Sequence, residues 1–193
     1  ILLGYSMNEI LQNSDLSEKA QWLKQILGML STSGLIVVVD PAQKEICDQL
    51  HETSAYLSSK ERDVYIHSPY LNGATCPFFS ERTNYYSHEV RKISSSSRIE
   101  KINNPLRLET HEVKFGLAMM SKNPTSSFLE NTELCRLVSP IRKKKGTISF
   151  IGIAADGLEY MYELQRRSLS ADETKILSKL ERGDILHIKN GVK

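Results

Sequence analysis

The segment Gly34-Leu-Ile-Val-Val-Val-Asp40-Pro41 constrains the rest of the chain most. Its five apolar residues follow one another without alternation, and most are β-branched. That pattern suits a strand buried on both faces in the middle of a parallel sheet. Asp40 places a carboxylate at the strand's C-terminal end, and Pro41, which has no N–H, stops the ladder there. Ligands of open α/β sheets gather outside such ends, so a pocket is expected near Asp40. The simpler reading is that Asp40 only holds the strand's tip.

Ile1–Ser6 also reads as a buried strand. Between the two strands, Ala20, Leu23, Ile26, Leu27 and Leu30 recur at helical spacing, and Ser17 is the expected cap of a helix starting near Glu18. Strand, helix, strand predicts a βαβ unit with a right-handed crossover and two parallel, adjacent strands. A second helix is expected over 42–57 from Ile46, Leu50 and Leu57, with Cys47 as a small buried hydrophobe. Asp63–His67 reads as a short strand. Val113–Met120 reads as a further strand of the same sheet. Residues 68–112 are the least regular stretch, and 123–132 is expected to be a flexible loop. The chain opens inside a strand without an initiator Met, so upstream strands are expected. Its ten glycines form no GxGxxG, which puts any glycine-rich ligand loop outside this sequence.

From about residue 135 the pattern changes. Arg136–Ile141 is a strand candidate and Arg142-Lys-Lys-Lys145-Gly146 a turn. Thr147–Ala154 and Leu158–Leu164 read as strands around the hairpin signal Asp156-Gly157. Ser170-Ala-Asp-Glu173 is a capping box for a helix carrying Ile176, Leu177 and Leu180 to Gly183. Asp184–Ile188 closes as a strand. The expected organisation is therefore an α/β part over 1–134 and a β-rich tail with one helix over 135–193.

Three groups of residues carry candidate chemistry. Gly4, Tyr5, Ser6, Asn8 and Glu9 would sit beside Asp40 if the two parallel strands are neighbours, and such groups suit a ribose, a purine or a target base. Asn8 and Glu9 could equally begin a solvated helix. His67, Cys76 and His88 offer metal-ligand types, but the spacing matches no zinc pattern and only one thiol is present; a packed thiol and a hydrogen-bonded histidine explain them as well. The basic run Arg142, Lys143, Lys144, Lys145, with Arg166 and Arg167 later, suits phosphate backbone, or a solvated hairpin tip. Net charge is only +2, so composition alone does not announce nucleic-acid binding. Three cysteines argue against a disulfide framework and for a reducing compartment. No run is long and apolar enough to span a membrane, and no signal peptide is visible.

Several short segments occur in the order of a known family. Leu3-Gly-Tyr-Ser-Met-Asn-Glu-Ile10 looks like an opening of the form S-Y-x-L-x-E-L, and Val37-Val-Val-Asp-Pro41 like V-x-E-P-G. Cys76-Pro77 and Tyr86-Ser-His-Glu89 look like C-P and W-C-H-E elements. Lys114-Phe-Gly-Leu-Ala-Met-Met-Ser-Lys122 looks like K-F-S-Y-L-V-L-S-R. Arg136-Leu-Val-Ser-Pro-Ile-Arg-Lys143 with Lys145-Gly146 looks like R-V-V-S-P-x-x-K-x-x-G. Over nearly its whole length the chain resembles the methyltransferase-like ribosomal small-subunit proteins of bacteria and mitochondria, the Rsm-type group.

The resemblance implies the C-terminal part of a Rossmann-like class I S-adenosylmethionine methyltransferase fold, entered at its fourth strand. It implies S-adenosylmethionine as cofactor, bound with the help of upstream residues, and small-subunit rRNA or the small subunit itself as partner. Gly4, Tyr5, Ser6, Asn8 and Asp40 would line the cofactor pocket. Some family members hold an iron–sulfur cluster. Here the corresponding loop reads Ser68-Pro69-Tyr70, Cys76-Pro77 and Tyr86-Ser87-His88-Glu89, with hydroxyls at Ser68 and Ser87 where thiols are needed, and serine is a poor ligand for cluster iron. Ser68, Cys76, Ser87 and His88 are therefore expected to be a vestigial cluster loop with no metal. No catalytic residue carries over. The competing readings are a catalytically inactive RNA-binding assembly factor and a small metal protein built on Cys76 and His88. The expected compartment is the cytoplasm, or the mitochondrial matrix for a eukaryotic chain.

Overall fold

The structure is a computed structural model and describes residues 1–70, 86–106, 112–124 and 133–188. It is mixed α/β, with two separate sheets. The first sheet contains β1 (Leu2–Gly4), β2 (Leu35–Pro41), β3 (Tyr65–Ser68), β4 (Glu89–Lys92) and β5 (Glu112–Ser121). The organising strand β2 is interior, parallel to β1 and antiparallel to β5. On its other edge β5 pairs antiparallel with β3 and, further along, with β4. So β1, β2 and β3 run one way, and β5 runs the other way between β2 and β3.

Two long helices cover one face. Helix α2 (Leu16–Gly28) connects β1 to β2, after a short α1 (Ser6–Ile10). Its cap is Asp15 rather than Ser17: the Asp15 carboxylate accepts the Glu18 N–H and Glu18 answers to the Asp15 N–H. A carboxylate at this position also favours the positive end of the helix dipole. Helix α3 (Lys44–Lys60) connects β2 to β3. Leu23, Ile26 and Leu27 of α2, Leu50 and Leu57 of α3, and Ile36, Val38, Ala118 and Met120 of the sheet form one core. Cys47 is fully buried on α3, as its small apolar character suggests.

The expectation that β2 is buried on both faces in the middle of a parallel sheet is corrected: its neighbour β1 is parallel but its other neighbour β5 is antiparallel, and only one face is fully buried. Ile36, Val38 and Asp40 are fully buried, whereas Leu35, Val37, Val39 and Pro41 are half-buried. The reason is that α2 and α3 both pack on the first set, because successive side chains of a strand point to opposite faces.

The second sheet is wholly antiparallel and contains β6 (Leu134–Leu137), β7 (Arg142–Lys143), β8 (Thr147–Ala154), β9 (Glu159–Gln165) and β10 (Ile185–His187). β6 and β7 pair along the same edge of β8, so the single strand expected over 136–141 is broken at Ser139-Pro140. There the Ser139 hydroxyl accepts the Ile151 N–H at 2.7 Å and replaces the missing ladder bond. The hairpin between β8 and β9 uses a three-residue loop, Ala155–Gly157, rather than a two-residue Asp-Gly turn: the Ala154 N–H meets Leu158 O, and Gly157 takes φ 81°. Helix α5 (Ala171–Leu177) has the expected Ser170/Glu173 capping box but ends before Leu180. The stretch 68–112 also contains β4 and a short helix α4 (Ser97–Asn103), capped by Ser96. Cys76 and most of 123–132 lie outside the described residues. Among the described residues no helix is long and apolar enough to cross a membrane.

Candidate functional site

The end of the parallel pair is built as the sequence suggests, except for Asp40. Gly4 pairs with Val39, and the Tyr5 N–H donates to Val39 O at 2.7 Å. Tyr5 takes a left-handed φ of 57° and turns the chain from β1 into α1, leaving its ring 49% exposed. The Ser6 hydroxyl donates to Gly4 O at 3.1 Å, and Ser6 and Asn8 belong to α1 rather than to a loop. Asp40 does not open to solvent beside them. It lies on the helix-covered face with no exposed surface, and neither carboxylate oxygen has a hydrogen-bond partner among the described residues. Burial raises its pKa; the Asn8 N–H, directed at it without reaching hydrogen-bond geometry, and the Lys19 ammonium oppose that rise, and Glu9 adds to it. Lys19 is itself buried and donates to Gln49 Oε1 at 2.6 Å.

The basic residues of the tail converge. Arg142 and Lys143 are strand residues, and the turn proper is Lys144–Thr147, closed by the Lys144 N–H to Thr147 O at 2.9 Å. Gly146 takes φ 86°, a conformation that a side chain resists. Thr147 pairs with Gln165, and the Arg166 N–H then donates to Gly146 O at 2.9 Å. This places the 3-10 turn Arg166–Ser168 directly against the hairpin tip. Arg142, Lys143, Lys144, Lys145, Arg166 and Arg167 are all exposed. Among the described residues none of them forms an ion pair with an acid. Two basic groups twenty residues apart in sequence thus make one surface.

The seam between the sheets holds the groups that sequence reasoning missed. Glu89, 1% exposed, begins β4 of the first sheet, and Arg136, 5% exposed, belongs to β6 of the second. Arg136 Nη2 donates to Glu89 Oε1. Arg91 Nη1 lies 3.0 Å from Glu89 Oε2, but its hydrogen bonds go to the carbonyls of Val90 and Arg182. Gly183, at φ 92°, approaches so closely that a Cβ there would collide with the Glu89 carboxylate and the Arg91 guanidinium. A signal for this pairing was present: an acid ends the Tyr86–Glu89 element and a base opens the Arg136–Lys143 element. Their meeting is long-range, so neither segment alone reveals it.

His88 and Ser87 sit at the same seam. Arg182 Nη1 is 3.2 Å from His88 Nε2, and His88 Nδ1 is 3.3 Å from Tyr86 O. A guanidinium can only donate, so Nε2 accepts and Nδ1 carries the proton. Burial holds the imidazole below its usual pKa, and the positive charges of Arg182 and Lys114 push the same way. Its free lone pair is therefore committed to Arg182 rather than open to a metal. The Tyr86 ring stacks on His88 at 4.7 Å between centroids. Ser87 is buried, and its carbonyl lies 3.3 Å from His51 Nε2. Ser68 and Glu89 face the same edge of β5, opposite Met119 and Phe115. His67 is engaged separately, 2.7 Å from Ser121 Oγ. Among the described residues no three His, Cys, Asp or Glu side chains are grouped to hold a metal ion.

A cleft of about 430 Å³ opens at this seam, between β4 and β5 on one side and the Ser139–Lys143 segment and the Leu177–Arg182 segment on the other. No protein-family model matches this sequence, and no curated protein matches it.

Proposed function

We propose that this chain binds RNA through its tail, on a framework of the class I methyltransferase type, with small-subunit rRNA as the partner. The observation that carries this reading is the union of the Arg142–Lys145 hairpin with Arg166 and Arg167 through the Arg166 N–H to Gly146 O bond. Six exposed cations, without acidic partners among the described residues, gather at one end of the second sheet, and a polyanion relieves their mutual repulsion by releasing counterions. The choice of small-subunit rRNA among polyanions comes from the family resemblance. Strand order supports the framework. Three strands run parallel in the order β1, β2, β3, with one antiparallel strand between the last two. This suits the fourth, fifth and sixth strands of a doubly wound sheet, with the antiparallel insertion that distinguishes the class I methyltransferase sheet.

Phosphate contacts supply affinity rather than sequence preference. Replacing Lys143, Lys144 and Lys145 together with Ala should weaken binding to all single-stranded RNA sequences alike. It should also flatten the slope of log K against log salt by up to about 2, at roughly 0.7 per lost contact. Unchanged affinity and slope would reduce this turn to a solvated hairpin tip.

A second reading, S-adenosylmethionine-dependent methyl transfer, is favoured by the side-by-side ends of β1 and β2. Gly4, Tyr5, Ser6 and Asn8 surround that end, and the exposed Tyr5 ring suits contact with an adenine or a methionine chain. The buried Asp40 would support this rim from beneath rather than touch the ligand. When bound, the cofactor supplies an activated methyl group, and transfer depends mainly on in-line positioning of the acceptor. Calorimetric titration of the full-length protein with S-adenosylmethionine, repeated with Tyr5→Ala, tests it. Saturable binding lost in the variant supports this reading. Absence of binding leaves a non-enzymatic RNA-binding assembly factor.

A further inference from the structure

The seam cleft is separate from the strand end and only touches the basic hairpin at Lys143. Its cations are Lys92, Lys114, Lys143 and Arg182, and its acids are Glu112 and Glu181. Glu181 lies 3.7 Å from Lys92, so its charge is partly answered within the wall. Lys114 and Lys143 are exposed and form no ion pair among the described residues. Arg182 is half-buried and engages His88 through Nη1; its guanidinium has further donors. Burial is the main reason for the low proton affinity of His88, and the nearby charges of Arg182 and Lys114 lower it further against the opposing charge of Glu89. The volume is in the usual range for small-ligand sites, about 300–1,000 Å³, more than one phosphate needs and enough for a nucleotide.

We propose that the seam cleft holds a phosphate group of the RNA strand that runs along the basic hairpin, with Lys114 and Lys143 on its two sides and Arg182 deeper in. This rests on the RNA-binding reading of the hairpin and extends it from the tail onto the first sheet. Lys143 belongs to both surfaces, so a strand leaving the hairpin tip meets the cleft next. The Glu89–Arg136 pair keeps the two walls together, since it joins β4 to β6 immediately behind them. The same phosphate chemistry could come from a free mononucleotide, and the test separates the two sources.

The test uses the full chain and three variants: Lys92→Ala/Lys114→Ala, Lys114→Arg, and the hairpin triple variant Lys143→Ala/Lys144→Ala/Lys145→Ala. Binding of a short single-stranded RNA is measured across a salt series, and adenosine monophosphate is titrated separately. The seam double variant should flatten the salt slope by roughly 0.7, the value for one lost phosphate contact on a single strand, while Lys114→Arg keeps the parental slope. A seam variant that matches the parent, while the hairpin variant is weakened, overturns the cleft alone. If neither variant changes RNA binding, the RNA reading of the hairpin falls as well. Saturable mononucleotide binding that depends on Lys114, with RNA binding unchanged in the seam variant, makes the cleft a mononucleotide site and overturns the RNA source. The substituted lysines are exposed, and a parental near-ultraviolet circular dichroism spectrum shows that the fold is kept.

Discussion

Asp40 and Glu89 are both completely buried carboxylates, yet they occupy opposite situations. Glu89 stands where two sheets meet, with Arg136 from the other sheet bonded to its Oε1 and Arg91 3.0 Å from its Oε2, which has no hydrogen-bond partner among the described residues. Asp40 stands at the end of a parallel strand with no hydrogen bond to either oxygen among the described residues. Burying a charge is costly unless it is paired. The seam has met that cost with a partner contributed from 47 residues away, and the strand end has not, so burial raises the Asp40 pKa. A paired buried acid fixes the relative position of two sheets. A buried carboxylate without a hydrogen-bond partner at a strand end leaves its desolvation uncompensated.

The largest effect should come from breaking the pair on one side only. Arg136→Met should cost about 3–5 kcal/mol, because Glu89 is left buried without its partner. The double variant Glu89→Gln/Arg136→Met should recover much of that loss. Urea unfolding of the single and double variants measures the difference, and a fully additive result would show that the two side chains do not act together.

Acid should expose the same seam. His51 is enclosed by the Ser87 carbonyl, Asp48, Arg136, Glu89 and the Tyr70 ring, and burial lowers its pKa to about 4. Between the ordinary value of 6.5 and about 4, the unfolded chain takes up a proton that the folded chain refuses. Stability contributed by the neutral imidazole is therefore present above pH 6.5 and lost as pH falls through this window, by of order 3 kcal/mol. In His51→Gln the loss over this window should shrink. A variant with the parental pH profile would assign the acid sensitivity to other groups.

Asp40 should respond in the opposite sense. Its folded pKa is raised above the unfolded value, so the folded state gains stability as pH falls through the folded pKa. Asp40→Asn should remove that gain and leave stability at pH 7 unchanged or higher by up to about 1 kcal/mol, since an unpaired buried charge is replaced by a neutral group. A clear loss at pH 7 would mean that the carboxylate has a partner after all. The smallest effect belongs to the hairpin: Lys143→Ala/Lys144→Ala/Lys145→Ala should shift stability by no more than about 0.5 kcal/mol per site, while changing RNA affinity.

Much of the framework was legible in the chain because it is written in local pattern. The unbroken run 35–39 identified an interior strand, and β8 begins and ends at Thr147 and Ala154 as its alternation indicates. The capping box at Ser170 was likewise readable. What escaped was set by contacts between distant segments. The strand after Arg136 breaks because Ser139 finds the Ile151 N–H. Asp40 turns inward because both long helices cover the same face. At the candidate sites, the run 142–145 was visible as charge, but its contact with Arg166 depends on the β8–β9 register. The Glu89–Arg136 pair depends on how the two sheets dock.

Ultraviolet crosslinking of the full-length protein to small-subunit rRNA, with mass-spectrometric mapping of the crosslinked peptides, compares the two regions directly. Crosslinks should fall on peptides containing Lys143–Lys145 and Arg166–Arg167. With the seam cleft occupied, they should also fall on the peptide containing Lys114. Crosslinks confined to the β1–α1 end around Tyr5, or no crosslinked peptide at all, would contradict an RNA surface on the tail.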